Sequence, residues 1–168
     1  MNSSELLVDG FSRVAQTAHR VLKGLDPAAL TARIDWDTNT IAWLIWHLTR
    51  IQDDHLADAF DAEQVWTTGG WAERFGLPFE ATATGYGQDR TEVAAVTADA
   101  DLLLGYLDAT HDRTVTLLGP VGDADLDRVV DTRWDPPVTL GVRLVSVISD
   151  GLQHAGQAAF VRGIIERA

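Results

Sequence analysis

Cysteine is absent from the 168 residues. That excludes disulfides, thiolate metal sites and a cysteine nucleophile together, so any metal must be held by His, Asp or Glu, and any thiol chemistry must use a thiol from outside the chain. Lysine is nearly absent as well: Lys23 stands alone and the arginines are scattered. With 25 acidic against 13 basic residues the formal charge is −12, which argues against nucleic acid, where affinity comes largely from Lys and Arg on phosphates. No apolar run approaches the roughly 18 to 20 residues of a membrane span. The start, Met1-Asn2-Ser3-Ser4-Glu5, lacks the basic residues and apolar core of a signal peptide. A cytoplasmic protein is expected.

What is present is helical periodicity. The length suits one domain, residues 1–168, with a real core, and 46% hydrophobic against 23% charged residues is the balance of a globular chain. A first helix is expected over Glu5 to Leu25, with Leu6, Phe11, Val14, Ala15, Ala18 and Val21 inward and a stop near Gly24. Asn39 offers a cap for a second helix from Thr40 to about Phe60, burying Trp43, Leu44, His47, Leu48, Ile51 and Leu56. From Asp61 to Arg90 aromatics mix with Gly and Pro in a long loop, with a short helix around Gly70 to Phe75. Such a loop forms a pocket wall or simply packs on the bundle. A third helix is expected from Thr91 to about Leu118, with Thr97 or Asp99 as internal caps. A non-helical connection follows, Asp123 to Pro137, and Thr139 caps a last helix reaching Arg167. Strand alternation is essentially absent. The fold class is therefore all-α, a four-helix bundle with long crossover connections.

The last helix carries the chemistry. Its apolar residues (Leu140, Leu144, Val147, Ile148, Leu152, Ala155, Ala159, Phe160, Ile164) recur at steps of three and four. Asp150 and His154 lie one turn apart near that face, where a carboxylate and an imidazole are costly unless they pair, bind something or reach water. Residues four apart share a face, and His47 on the second helix can close a triangle with them. Two imidazoles and one carboxylate leave open positions for water or substrate, as in catalytic Zn²⁺ and non-haem Fe²⁺ sites. The other reading is an ordinary i,i+4 contact beside a hydrogen-bonded core histidine.

Gln157 is a candidate to hold a ligand or bound water, and Asp54 a candidate second support or substrate-facing group. His55 lies about 80° around the helix from His47, a poor co-ligand. Arg50 and Arg162 could meet an anionic substrate, although a surface ion pair is the commoner fate. His19 reads as a surface or satisfied histidine, and His111 as part of a solvated face. Ser146 and Ser149 lie near the Asp–His pair without a strained nucleophile turn, and no phosphate-cradling glycine loop is visible.

Thr40-Ile41-Ala42-Trp43-Leu44-Ile45-Trp46-His47-Leu48 and Asp150-Gly151-Leu152-Gln153-His154-Ala155-Gly156-Gln157, followed by Arg162-Gly163, resemble the DinB superfamily of four-helix metalloproteins. The likeness is strongest to the mycothiol-dependent maleylpyruvate isomerase and related thiol-transferase branches. Carried over, the family's metal triad falls on His47, Asp150 and His154, with Asp150 where a His or Glu is commoner. The resemblance implies a divalent metal, zinc or nickel, that activates a low-molecular-weight thiol. The Ala-, Asp- and Arg-rich composition, typical of GC-rich bacterial genomes, favours mycothiol over bacillithiol. The expected function is a metal-dependent thiol S-transferase-like activity or a thiol-dependent isomerase, with a small-molecule thiol and an electrophile as partners. Trp43, Trp46 and the 61–90 loop would then shape an apolar pocket. The alternatives are a non-enzymatic, stress-associated metal-binding bundle and a structural bundle, a homodimer, whose His–Asp pair is only a hydrogen bond.

Overall fold

The computed structural model describes residues 1–167. Helix α1 spans Ser3–Leu22. It begins two residues before the expected Glu5 because Asn2 and Glu5 form a capping box: Glu5 N donates to Asn2 Oδ1 at 2.8 Å, and Asn2 N donates to Glu5 Oε2 at 3.0 Å. Its buried face is Leu7, Phe11, Val14, Ala18 and Val21, while Leu6, expected inside, faces solvent. A short α2, Pro27–Thr31, capped by Asp26, buries Leu30.

Helix α3, Ile41–Ala59, is the centre of the molecule. Its cap is Thr40 rather than Asn39, Trp43 N donating to Thr40 Oγ1 at 3.1 Å. Every residue from Ile41 to Arg50 is buried. The Trp43-Leu44-Ile45-Trp46 run is thus apolar all round because the helix is covered all round. The 61–90 segment holds two short helices, α4 (Val65–Thr68) and α5 (Trp71–Phe75). The expected third helix is two. α6 (Arg90–Ala95) ends at Val96, and α7 (Ala100–Leu118) restarts on Asp99, whose Oδ1 accepts from Leu102 N at 2.8 Å.

A 3₁₀ turn, Asp123–Asp127, leads into a small antiparallel ribbon, β1 (Val129–Asp131) with β2 (Val138–Thr139). Two- and three-residue strands are too short to show alternation, which is why the ribbon was not expected. Thr139 then caps α8, Leu140–Ile165.

Four long helices, α1, α3, α7 and α8, make the bundle, with α7 and α8 each packing on both α1 and α3. The buried stripe of α8 is Leu140, Leu144, Val147, Gly151, Ala155, Ala158 and Val161. Leu152 and Phe160, expected on that stripe, instead face outward with Val142 and Val145, because α8 is apolar on two sides and periodicity alone does not say which is covered. Gly151 brings α1 close: a Cβ there would lie 3.0 Å from Val14 Cγ1. The neighbouring Asp150 lies within reach of His47 on α3.

Candidate metal centre

α3 and α8 run antiparallel. Down their shared face, His55 meets Arg143, while His47 meets Asp150 and His154. One ligand atom from each of His47, Asp150 and His154 can be chosen so that all three lie within 4.8 Å of one another. The His47 and His154 rings stand edge to face with centroids 4.7 Å apart.

His47 is fixed from outside α3. Its Nδ1 lies 2.6 Å from Thr84 O. A carbonyl only accepts, so Nδ1 carries the hydrogen and Nε2 keeps its lone pair. Trp43 stacks flat on the ring, centroids 4.5 Å apart and planes 11° from parallel. The loop that presents Thr84 is held by the same helix face: Trp43 Nε1 donates to Gln88 Oε1 at 2.8 Å, and Arg50 Nε donates to Ala83 O at 3.1 Å. Positions 43, 47 and 50 therefore grip three points of one loop. Gly85 lets that loop come so close. Its φ is +95°, and a Cβ would sit 2.7 Å from His47 Nδ1 and 3.0 Å from Trp46.

His154 Nδ1 donates to Asp150 O, one turn back, at 3.0 Å, which leaves its Nε2 free in turn. Asp150 Oδ2 lies 3.3 Å from His154 Nδ1 without a well-aligned hydrogen bond, and it is buried with no other partner. A buried carboxylate oxygen left that way is costly. A cation among the three groups would satisfy it, and two imidazoles with one carboxylate fit a divalent metal. Burial holds His47 below its ordinary pKa, against the opposing pull of the Thr84 hydrogen bond and Asp150, so it stays neutral. Burial also pulls His154 down, but the close Asp150 carboxylate with its charge, and the hydrogen bond to Asp150 O, outweigh it and leave it above the ordinary value.

Beside the triad lies a cavity of about 320 Å³ that His47 and Asp150 line together with Ile51, Val142, Val147 and Trp134. It shares Ile51, His55, Tyr86, Trp134 and Arg143 with a more polar recess of about 770 Å³ that reaches Asp54, Asp58 and Gln64.

Several expectations need correction. Arg50 is fully buried and meets no substrate: Nη1 donates to Gln64 Oε1 (2.8 Å) and Tyr106 OH (3.3 Å), with Asp53 at 3.8 Å. Arg162 closes the end of α1, Nη1 donating to Arg20 O, Val21 O and Lys23 O at 2.7 to 2.9 Å. Gln157 is exposed on a different recess, near Asn39 and Phe160, and does not back the triad. Asp54 does face the outer recess, where it accepts from Gln64 Nε2 at 2.8 Å.

Of the expected pocket-wall residues, Trp46, Trp66 and Trp71 are core. From the 61–90 loop, Ala62, Gln64, Thr84 and Tyr86 line the outer recess, and of these Tyr86 also lines the inner cavity. His19 is satisfied across the bundle by Asp108 at 2.6 Å. His111 is half-buried rather than solvated, with Nε2 3.4 Å from Ser12 Oγ.

Arg143, Asp131 and Trp134 escaped the sequence reading. Arg143 on α8 and Trp134 between the strands line the cavity, and Asp131 on β1 holds Arg143 there, through a ribbon whose position no local pattern encodes. Arg143 alone carried a signal, as a charge four residues before Val147 and seven before Asp150 on one helical face.

A family model described as mycothiol-S-transferase matches residues 6–167. A solved structure, the crystal structure of the conserved protein of locus from Enterococcus faecalis, is similar at 28% identity and a TM-score of 0.92, over 100% of this chain and 99% of that one. No curated protein matches.

Proposed function

The chain belongs to the mycothiol-S-transferase family of the DinB-like superfamily, and from that premise we propose that it is a divalent-metal-dependent S-transferase acting on a low-molecular-weight thiol, mycothiol, and an electrophile. The observation that carries the reading is the convergence of His47, Asp150 and His154 beside a cavity large enough for a small molecule. His47 and His154 would hold zinc or nickel through Nε2, and Asp150 through the carboxylate oxygen that has no other partner. When bound, such a cation lowers the pKa of a thiol so that the nucleophilic thiolate exists at neutral pH.

The chain's own part is orientation and exclusion of water. The Thr84 carbonyl fixes the His47 tautomer, Trp43 fixes its plane, and Asp150 O fixes His154. The half-buried Ile51 and the buried Val147 would limit water beside the thiolate. Because the chain has no cysteine, the thiol must come from outside.

The test is thiol consumption by metal-loaded protein with an alkylating electrophile, comparing mycothiol, bacillithiol and glutathione. Turnover with mycothiol that drops by at least about 100-fold in His154→Ala is expected, the scale on which loss of transition-state groups is read. Equal turnover by the wild type and His154→Ala would contradict the proposal, and a metal-loaded protein inert toward every thiol would favour a non-enzymatic metal-binding bundle.

A further inference from the structure

His55 lies two turns beyond His47 on α3, about 12 Å along the helix axis. It lines both the inner cavity and the outer recess. Its Nδ1 is 2.7 Å from Arg143 Nη1. A guanidinium only donates, so Nδ1 is the acceptor and the hydrogen sits on Nε2. Arg143 cannot swing away. It is buried, its Nη2 donates to Asp131 Oδ2 at 2.8 Å, and Asp58 lies 3.5 Å from Nη1. Burial, and then the Arg143 charge, hold His55 below its ordinary pKa, so the ring stays neutral.

The result is an imidazole locked in one tautomer, whose Nε2–H has no acceptor among the described residues. The buried guanidinium of Arg143 gives an Nη1–H to His55 and an Nη2–H to Asp131, with Asp58 3.5 Å from Nη1. Other donors on the inner wall, Ser146, Tyr86 and Trp134, are exposed and free to turn toward water. Among the described residues of that wall, His55 is the half-buried side-chain donor that is held in place. Between it and the triad the wall is apolar: Ile51, Val138, Val142 and Val147, with the Trp134 ring at the mouth. A volume of about 320 Å³ is enough for one substituted benzene ring.

We propose that this cavity is the electrophile subsite and that His55 selects aromatic electrophiles carrying a hydrogen-bond acceptor at the end of the ring opposite the reacting carbon. The proposal deepens the transferase reading and rests on it for the direction of attack. The reacting carbon points at the triad, the ring lies on Ile51 and Val147, and the distal oxygen accepts from His55 Nε2. In the reaction the thiolate sulfur forms the S–C bond as the carbon–halogen bond breaks, and the halide leaves with the bonding pair. The thiol proton has gone to water, and His55 binds without giving up its own. Arg143 is a positioning residue that acts through His55.

A matched pair tests this. 4-Acetylbenzyl chloride and 4-isopropylbenzyl chloride are close in size, but only the first has a distal acceptor. Their unreactive counterparts, 4-methylacetophenone and 4-isopropyltoluene, report binding alone by saturation-transfer NMR. In His55→Phe the preference for the acetyl member of each pair should fall about tenfold, the worth of one hydrogen bond, in kcat/KM for the chlorides and in affinity for the counterparts. His55→Gln, which can still donate, should keep most of the preference, and metal content should be equal in all three proteins. An unchanged preference in His55→Phe overturns the proposal, as does an equal loss for both members. The two readings fail separately. Turnover that persists with an unmoved preference sinks the subsite and leaves the transferase. Selective binding that depends on His55, without turnover by any thiol, sinks the transferase and leaves the subsite.

Discussion

At Gly85 the backbone passes so near His47 that a methyl group would lie 2.7 Å from the ring nitrogen. The residue also holds φ at +95°, where L side chains are strained. Gly85→Ala must therefore push the Thr84 carbonyl away from His47 Nδ1 and release the ring from its fixed tautomer. Removing such an orienting partner typically costs about 10- to 100-fold in metal affinity, and that loss is expected for zinc by competition with a chromophoric chelator. Unchanged affinity would mean that the Thr84 hydrogen bond does not set the ring. Asp150 raises the opposite concern, an aspartate being one methylene shorter in reach than a glutamate. Its oxygen nonetheless comes within 4.8 Å of ring nitrogens of both imidazoles.

Among the elements, the ribbon is the least expected and the most consequential. Asp131 on β1 receives Arg143 Nη2 at 2.8 Å and both Nε and Nη2 of Arg133. Hydrogen bonds from Arg133, with the charges of both arginines, hold its carboxyl well below the usual carboxylate range. A depressed carboxyl stabilises the fold fully above its unfolded pKa, near 3.9, and loses that contribution as pH falls through the folded value. Asp131→Asn should thus show a constant stability deficit in urea between about pH 5 and 8 that narrows only below about pH 4. A deficit that grows on acidification would contradict this account.

Helix boundaries were legible in the sequence where a capping side chain announced them, as at Thr139, or nearly so, as at Thr40 beside Asn39. The Asp99 break was visible as a candidate but looked internal, because the apolar period runs on through Val93, Val96 and Leu102–Leu103. Arg50 and Arg162 misled for one reason. Whether an arginine on an apolar helix meets a substrate or a carbonyl depends on the chain packed opposite, and that chain lies far away in sequence. The same holds for His55, set aside as a co-ligand of His47 yet lining the cavity against Arg143, 88 residues on.

For the whole molecule, the bundle is a frame that holds α3 against α8. One side of that seam is closed by α1 and α7 packing, and the other carries the triad, the cavity and the ribbon. A charge of −12 favours the approach of cations and disfavours polyanions, which suits the divalent ion and the thiol of low charge proposed for the site. Everything proposed about chemistry depends on that ion. The direct measurement is elemental analysis of protein stripped with chelator, reloaded with zinc or nickel and desalted. The wild type should retain about one ion per chain, and His47→Ala and His154→Ala, still folded by circular dichroism, about a tenth of that or less, as expected when a metal loses one of three protein ligands. A wild type that retains neither metal, or variants that retain as much as the wild type, would show that His47, Asp150 and His154 are not a metal centre.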